Sequence, residues 1–272
     1  MRVAIYIGKK KLVEDARILA LVDELRQGGC EVCTLSKGEK PDADTDFLLS
    51  VGGDGTFLTA SAMATDRGVP VVGVNLGRMG FLSENRPEDI AKALLTGDYV
   101  IENRAMLKAD VRTGDKSLDD WPYALNEMTV RRRGAAMLGV DVSVNGVQLP
   151  TYWADGLVVS TSSGSTAYSL SVGGPIVLPE SQVLIISPIA PHNLNIRPLV
   201  VPDTSEICLE MHSRDGHFEF SADNRTALVG EDTRVTVSVA QFSLKRVRLN
   251  RSNFIEALTE KLFWGEDVRN IK

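Results

Sequence analysis

Apolar and polar residues alternate in blocks along the first hundred residues, and these blocks predict strands and helices in turn. Short runs that are apolar on both faces predict strands at residues 3–7, 31–35, 47–51 and 69–74. Apolar positions at helical spacing predict helices at residues 13–27, 57–64 and 87–95. Strands that are buried on both faces and separated by helices predict an α/β fold with a parallel sheet covered by helices.

Helical spacing largely disappears between residues 104 and 250. Strand-like stretches replace it, at residues 107–111, 138–144, 156–160, 183–186, 207–211 and 217–221. Asn145-Gly146 between two short runs is typical of a two-residue hairpin turn. Residues 254–264 then form an amphipathic helix ended by Gly265, which we expect to pack back on the first domain. The sequence therefore predicts an α/β domain of residues 1–104 with 250–272, and an all-β, sandwich-like domain of residues 105–249.

Composition limits the class of protein further. The chain has 272 residues, is 43% hydrophobic, and carries a net charge of −6, which argues against a general nucleic-acid or anionic-membrane binder. Cys30, Cys33 and Cys208 are too few for a disulfide framework, and no second pair completes a zinc site. No apolar stretch reaches transmembrane length, and the first strand is too short for a secretion signal. We expect a cytoplasmic protein with neither a membrane nor a nucleic acid as partner.

The strongest chemical signal is the turn Gly52-Gly53-Asp54-Gly55-Thr56, directly after the third predicted strand. The turn opens into a helix whose free N–H groups and positive dipole end suit a phosphate. No Lys-Ser or Lys-Thr follows, so the turn is not a Walker A loop, and Leu58 stands where a dinucleotide fingerprint needs its third glycine. Asp54 therefore lies where a phosphate, a cation or a reacting hydroxyl would meet it. An ordinary strand-to-helix turn with a solvated aspartate remains the alternative.

Three further polar stretches are candidates for ligand contact. Asn126-Glu127 places an amide beside a carboxylate, which suits the two hydroxyls of a ribose, although polar pairs at a sheet edge are common. In residues 155–171 an acid precedes an apolar strand, and small hydroxyl and glycine residues follow it. Asp223-Asn224-Arg225 is typical of a hairpin tip, and Arg131-Arg132-Arg133 could meet phosphates or end a strand in solvent.

Together these segments resemble the NAD kinase family in order and approximate spacing. The glycine turn, Asn126-Glu127, residues 155–174 and residues 223–225 carry the resemblance. The stretches Gly77-Arg78-Met79-Gly80-Phe81-Leu82 and Arg197-Pro198-Leu199-Val200 match it as well. Phosphofructokinases and the diacylglycerol and sphingosine kinases share the glycine turn, whereas residues 164–171 single out the NAD kinases.

The resemblance implies that ATP, with a divalent metal expected to be Mg²⁺, phosphorylates the 2′-hydroxyl of the adenosine ribose of NAD to give NADP. Asp54 would accept the proton, and it could also serve the metal. Asn126 and Glu127 would hold ribose hydroxyls, and Asp155 would recognise the nicotinamide side. The other nucleotide-binding positions that the resemblance implies are Gly53, Gly55, Phe81, Trp153, Thr166, Ala167, Tyr168, Ser169, Leu170, Ser171, Ala190, Asp223 and Arg225.

Members of this family are typically homo-oligomers that bind NAD between their two domains, so we expect a homodimer or homotetramer. The chain departs from the family pattern at Ser162-Ser163, where Pro-Thr is usual, and at Trp153, Asn224 and Arg225. Two other function classes stay open at this point. A lipid kinase would share the glycine turn but does not suit the polar residues 160–171, and a non-catalytic regulator could bind a nucleotide in the same crevice.

Overall fold

The computed structural model describes residues 1–64, 67–77, 80–249 and 253–262. The strands are β1 Arg2–Ile7, β2 Glu31–Leu35, β3 Phe47–Val51, β4 Val71–Val74, β5 Tyr99–Asp110, β6 Tyr123–Ala124, β7 Glu127–Arg131, β8 Leu138–Val144, β9 Val147–Gln148, β10 Tyr152–Ala154, β11 Gly156–Thr161, β12 Val183–Ile189, β13 Leu199–Pro202, β14 Ile207–Ser213, β15 His217–Ala222, β16 Arg225–Gly230 and β17 Val235–Leu249. The helices are α1 Ala16–Gln27, α2 Asp54–Ala64, α3 Pro87–Thr96, α4 Lys116–Asp119, α5 Tyr168–Ser171 and α6 Phe254–Leu262.

The chain divides into two compact units. Unit 1 comprises Met1–Asn103 and the described residues from Leu244 onward, and unit 2 comprises Arg104–Ser243. Domain limits at residues 1–104 with 250–272, and at residues 105–249, stay a prediction.

Unit 1 contains the predicted parallel sheet. Its strand order is β2-β1-β3-β4, and residues Arg246 and Val247 of β17 pair in parallel with β4. Apolar side chains of these strands pack against α1 and α3 in one core, through Ile18, Leu21, Leu25, Ile90 and Leu94. The first helix begins three residues later than its spacing predicts, because Asp15 accepts the Arg17 N–H at 3.0 Å and caps it.

Unit 2 has the β-rich architecture that the sequence predicts. One antiparallel sheet has the order β13-β12-β11-β7-β15-β16, and a second antiparallel group pairs β10-β8-β14 with the start of β17. Buried residues of both sheets meet in a single core, as in a sandwich. The predicted hairpin turn joins β8 to β9, with Asn145 and Gly146 at φ values of 51° and 78°.

Several strands escape the sequence pattern. β13 buries only Val201 of its apolar run Leu199-Val200-Val201, and β16 buries only Val229, so neither is buried as a core strand is. β17 is fifteen residues long and changes unit at residue 244, which leaves it without one continuous apolar face. The terminal helix is described from Phe254 to Leu262, and it buries Ala257 and Leu258 in unit 1 as expected. Its predicted end at Trp264 and Gly265 lies outside the described residues.

Candidate active site

Asp54 stands at the junction between β3 and α2 in unit 1. The helix begins at Asp54 itself, three residues earlier than predicted, so the aspartate occupies its first turn. Gly52 has a φ of +152°, and a Cβ atom there would lie 2.8 Å from Cβ of Thr56, so the turn requires glycine. Gly53 and Gly55 are exposed, and an added Cβ at either would meet nothing within 4 Å. Open space above these two glycines lets a ligand approach the backbone at the helix N-terminus.

The carboxylate of Asp54 is held by a short backbone segment, Gly80–Ser83. The N–H of Phe81 donates to Oδ2 at 2.9 Å, and the N–H groups of Leu82 and Ser83 donate to Oδ1 at 3.1 and 2.9 Å. A methyl group on Gly80 would lie 2.6 Å from Oδ2, so this position accommodates only glycine. Since each carboxylate oxygen can accept about two hydrogen bonds, Oδ2 keeps one acceptor position for a further ligand.

Residues 77–82 were one of the stretches that resemble the NAD kinases, and three of them, Gly80, Phe81 and Leu82, lie against the Asp54 carboxylate. Gly77 donates its N–H to Oδ1 of Asn75 at 2.8 Å. Arg78 and Met79 of the same stretch lie outside the described residues.

In unit 2, Asn126 and Glu127 lie at the start of β7, above the β15–β16 hairpin. The side chain of Asp223 at the hairpin tip accepts the N–H groups of Leu125 at 2.8 Å, Asn126 at 2.9 Å and Glu127 at 3.3 Å. Asp223 has a φ of 50°, a conformation that aspartate adopts more readily than most residues. The hairpin tip therefore fixes the backbone of the Asn126-Glu127 pair, a role that the sequence did not reveal.

The acidity of Glu127 is strongly altered by this setting. Burial and the nearby charge of Asp223 raise the pKa of Glu127 from its usual 4.5 to about 8, and the N–H of Tyr168 opposes this only in part. Burial also raises the pKa of Asp223, but three N–H donors and the charge of Arg225 oppose that shift. With a pKa of about 8, Glu127 keeps its proton near neutral pH. Sequence reasoning treated Glu127 as a charged acceptor, and the structure favours a neutral acid.

The hydroxyl-rich stretch after β11 is folded and packed, as its apolar residues indicate. Residues Ser163–Thr166 form a 3-10 turn, and α5 follows directly. A Cβ atom on Gly164 would lie 2.5 Å from the carbonyl carbon of Asn126, so this turn sits against the Asn126-Glu127 pair. Thr166, Ala167, Tyr168 and Leu170 are partly exposed, and Ser171 is exposed.

Several hydroxyls in this stretch are used within the protein. Ser165 Oγ exchanges hydrogen bonds with the backbone of Val177 at 3.1 Å, and Ser162 Oγ donates to the carbonyl of Pro179 at 2.9 Å. Ser169 is fully buried, with Oγ 3.3 Å from that of Ser187. Its hydroxyl faces Ser187 inside the protein, so a ligand contact at Ser169 stays a prediction.

The remaining predicted residues divide into two groups. Trp153, Asp155 and Ala190 come together where β10, β11 and β12 meet, because Asp155 donates its N–H to the carbonyl of Ile189 at 2.9 Å. Asp155 also pairs with Arg132, whose Nε lies 2.6 Å from Oδ1. Arg225, in contrast, donates to backbone carbonyls of Ser117, Trp121 and Tyr123.

Comparison with known proteins decides which family shares this arrangement. Residues 125–249 match the family model described as the ATP-NAD kinase C-terminal domain, and residues 23–98 match the ATP-NAD kinase N-terminal domain. A protein of Flavobacterium psychrophilum named NAD kinase is 42% identical over 233 residues, which cover 84% of this chain and 79% of that protein. The chain belongs to the NAD kinase family. The predicted resemblance is confirmed, and the protein is a phosphotransferase by its family.

Further NAD kinase relatives cover nearly the whole chain. The NAD kinase of Porphyromonas gingivalis is 37% identical across 98% of this chain and 99% of its own length. The crystal structure of an NAD kinase from Archaeoglobus fulgidus in complex with ATP superposes with a TM-score of 0.80 at 28% identity, covering 97% of this chain and 99% of that one. A yeast NADH kinase complexed with NADH has a TM-score of 0.81 at 23% identity, which shows the same fold.

Four residues that support Gly80–Ser83 or Asp155 were not predicted from the sequence. Asn75, Arg246 and Lys261 donate to carbonyl groups of Gly80–Ser83 but belong to no predicted motif. Arg132, which pairs with Asp155, was left open within a basic run. Asn75 stands out only as a polar residue after the apolar run of β4, whereas Arg132, Arg246 and Lys261 lie among other charged or polar residues and give no such signal. No helix among the described residues is both long and apolar enough to cross a membrane.

Proposed function

We propose that this chain transfers the γ-phosphoryl group of ATP to the 2′-hydroxyl of the adenosine ribose of NAD, producing NADP. The observation that carries the proposal is the Asp54 carboxylate, held by three N–H donors at a helix N-terminus with one acceptor position left on Oδ2. Family membership supplies the substrate, and this position supplies the residue that would accept or orient the proton of the hydroxyl.

Phosphoryl transfer to a hydroxyl depends more on the alignment of the hydroxyl with the phosphate than on a strong base. Phosphoryl transfer to a hydroxyl has a loose transition state, so positioning and electrostatic stabilisation contribute most of the catalysis. Asp54 would orient the hydroxyl through Oδ2, while the helix N-terminus at the exposed residues Gly53 and Gly55 would receive the phosphates. A carboxylate beside a triphosphate repels it unless a cation lies between them.

A divalent ion at this site would share the Asp54 carboxylate with the phosphates of ATP. Among the described residues, no group of three or more His, Cys, Asp and Glu side chains is placed to hold a metal. Mg²⁺ is commonly held by one or two carboxylates together with substrate phosphates, and Oδ2 of Asp54 offers such a carboxylate. When bound, the ion would neutralise the charge of the phosphates.

Recognition of NAD would fall to unit 2. The side-chain amide of Asn126 and the neutral acid of Glu127 can both donate and accept, and each has a buried oxygen without a partner among the described residues. Such unsatisfied atoms are what a bound ribose would satisfy. Tyr168 would stack on a base, and Asp155 would accept a hydrogen bond from the amide group of the nicotinamide. The other positions proposed to form or support the nucleotide site are Phe81, Trp153, Thr166, Ala167, Ser169, Leu170, Ser171, Ala190, Asp223 and Arg225.

Arg225 and Asp223 would act mainly by fixing the backbone, since their side chains bind backbone groups of residues 117–127.

We further propose that the enzyme is cytoplasmic and works as a homodimer or homotetramer. Light scattering on the purified full chain measures the latter, and a monomer at assay concentration would contradict it.

The test of the function is the product. Purified protein with NAD, ATP and Mg²⁺ should form NADP, detected by an NADP-specific dehydrogenase, while omitting any one component should give none. Calorimetry of NAD alone separates the alternatives, because a non-catalytic regulator would bind NAD and form no NADP. A lipid kinase would neither bind NAD nor form NADP.

A further inference from the structure

The backbone segment Gly80–Ser83, which holds Asp54, is itself held from its opposite side. The N–H groups of Phe81, Leu82 and Ser83 point to the carboxylate, whereas Gly80 donates its N–H to the carbonyl of Ser83 at 2.9 Å. The carbonyl groups of Gly80, Phe81 and Ser83 accept from Lys261, Arg246 and Asn75 respectively, the last two at 3.3 and 3.0 Å. The segment is therefore fixed on one side by the acid and on the other by two cations and an amide.

Lys261 reaches this segment from α6, the terminal helix. Its Nζ donates to the carbonyl of Gly80 and lies 4.6 Å from the centre of the Phe81 ring. An ammonium over an aromatic face is attracted by the ring quadrupole. The Phe81 ring also packs against Phe254 of the same helix, with centroids 5.9 Å apart. One residue of the segment is thus held by both ends of α6.

Lys261 differs from Arg246 in how its charge is balanced. Arg246 is buried, with a side chain only 4% exposed, and it pairs with Glu84 at 2.5 Å and Glu102 at 3.0 Å. Lys261 forms no salt bridge with a carboxylate of the described residues, although Glu84 and Asp54 both lie near enough to act on its charge. Partial burial lowers the pKa of Lys261, against the effect of these two acids. Its contacts go to the segment rather than to an ion-pair network.

We propose that Lys261 is a positioning residue for Asp54: it fixes Gly80–Ser83 so that the segment's N–H groups hold the carboxylate in the orientation that transfer requires. This inference rests on the proposed function. The physical reason is that a peptide unit turns as one plane, so a carbonyl anchored by Lys261 fixes the direction of the neighbouring N–H. Without the anchor, Phe81 N–H is free to turn away from Oδ2.

The competing explanation is that Lys261 only attaches α6 to unit 1. Attachment alone predicts a lower melting temperature and an unchanged catalytic step. Positioning predicts a lower kcat with little change in KM, because an interaction that matters only in the transition state has been loosened.

The experiment compares Lys261→Met with the wild type and with Lys92→Met, an exposed lysine of α3 in the same unit. Methionine keeps the length and apolar body of the side chain and removes the donor and the charge. We expect kcat for NADP formation to fall roughly tenfold to a hundredfold, the size seen when a reacting group is displaced by about an ångström. KM for NAD and ATP should stay within about twofold, and Lys92→Met should match the wild type.

A second readout does not depend on activity. Hydrogen exchange of the peptide that contains Phe81, Leu82 and Ser83 should be faster in Lys261→Met and unchanged in Lys92→Met, because their N–H groups are protected by bonding to Asp54. If Lys261→Met does not fold, Lys261→Gln is measured in the same two ways. An unchanged kcat, an unchanged exchange rate, or a raised KM for ATP at constant kcat would overturn the inference. A wild-type protein that forms no NADP would instead refute the proposed function, and the exchange measurement would still decide this one.

Discussion

Glu127 should hold a proton at neutral pH, and the substitution Glu127→Gln tests this through the pH dependence of stability. The side chain is largely buried beside Asp223, which raises its pKa from 4.5 to about 8. In the unfolded chain the same acid ionises near its usual pKa. The folded protein therefore binds one proton more than the unfolded chain throughout the interval between the two pKa values.

The sign and size of the effect follow from this difference. Because the folded pKa lies above the unfolded one, the stability contributed by the protonated acid is full below pH 4.5 and is lost as the pH rises to about 8. At about 1.36 kcal/mol per pKa unit, the wild type should lose about 2 kcal/mol between about pH 5 and about pH 7 through this group. Glutamine has the same shape and stays neutral, so Glu127→Gln should not lose it.

Urea unfolding of wild type and variant over this pH range measures the effect. We expect the free energy of unfolding of Glu127→Gln, minus that of the wild type, to rise by about 2 kcal/mol from about pH 5 to about pH 7. Glu180→Gln, at an exposed glutamate of the same unit, is the matched control for the substitution itself. A difference that stays constant with pH would show that Glu127 is ionised in the fold, and would refute the argument from burial.

Two further substitutions test the geometry of unit 2. Ala167→Trp should abolish NAD binding measured by calorimetry while leaving the melting temperature close to that of the wild type, because Ala167 is partly exposed in the proposed pocket; a large drop in melting temperature with NAD affinity preserved would place it in the core. Gly164→Ala should lower stability by about 1–3 kcal/mol in urea unfolding, and weaken NAD binding, because its Cβ would overlap the Asn126 backbone; wild-type stability would show that the turn does not press on Asn126.

The sequence predicts what depends on local pattern. The apolar runs of β1 to β4 identify the parallel sheet, and Asn145-Gly146 identifies a hairpin. Both can be predicted because the spacing of apolar residues and the choice of turn residues depend only on neighbours in the sequence. The family motifs then identify the candidate site as a set of positions.

The supports of the site could not be predicted, because they join residues far apart in sequence. Lys261 and Gly80 are 181 positions apart, and Asp223 and Asn126 are 97 apart. Nothing local to Asp223 shows that its side chain turns inward to bind three N–H groups. The neutral state of Glu127 likewise depends on burial and on the charge of Asp223, neither of which a single stretch of sequence contains.

The central claim is that Asp54 drives phosphorylation of NAD, and Asp54→Asn tests it most directly. Asparagine keeps an oxygen for the Leu82 and Ser83 N–H groups, but it removes the negative charge. It also puts an NH₂ group, which cannot accept a hydrogen bond, in the place of Oδ2. We predict that kcat for NADP formation falls on the order of a hundredfold or more, while NAD affinity by calorimetry stays close to that of the wild type. NADP formation by Asp54→Asn at the wild-type rate would contradict the account.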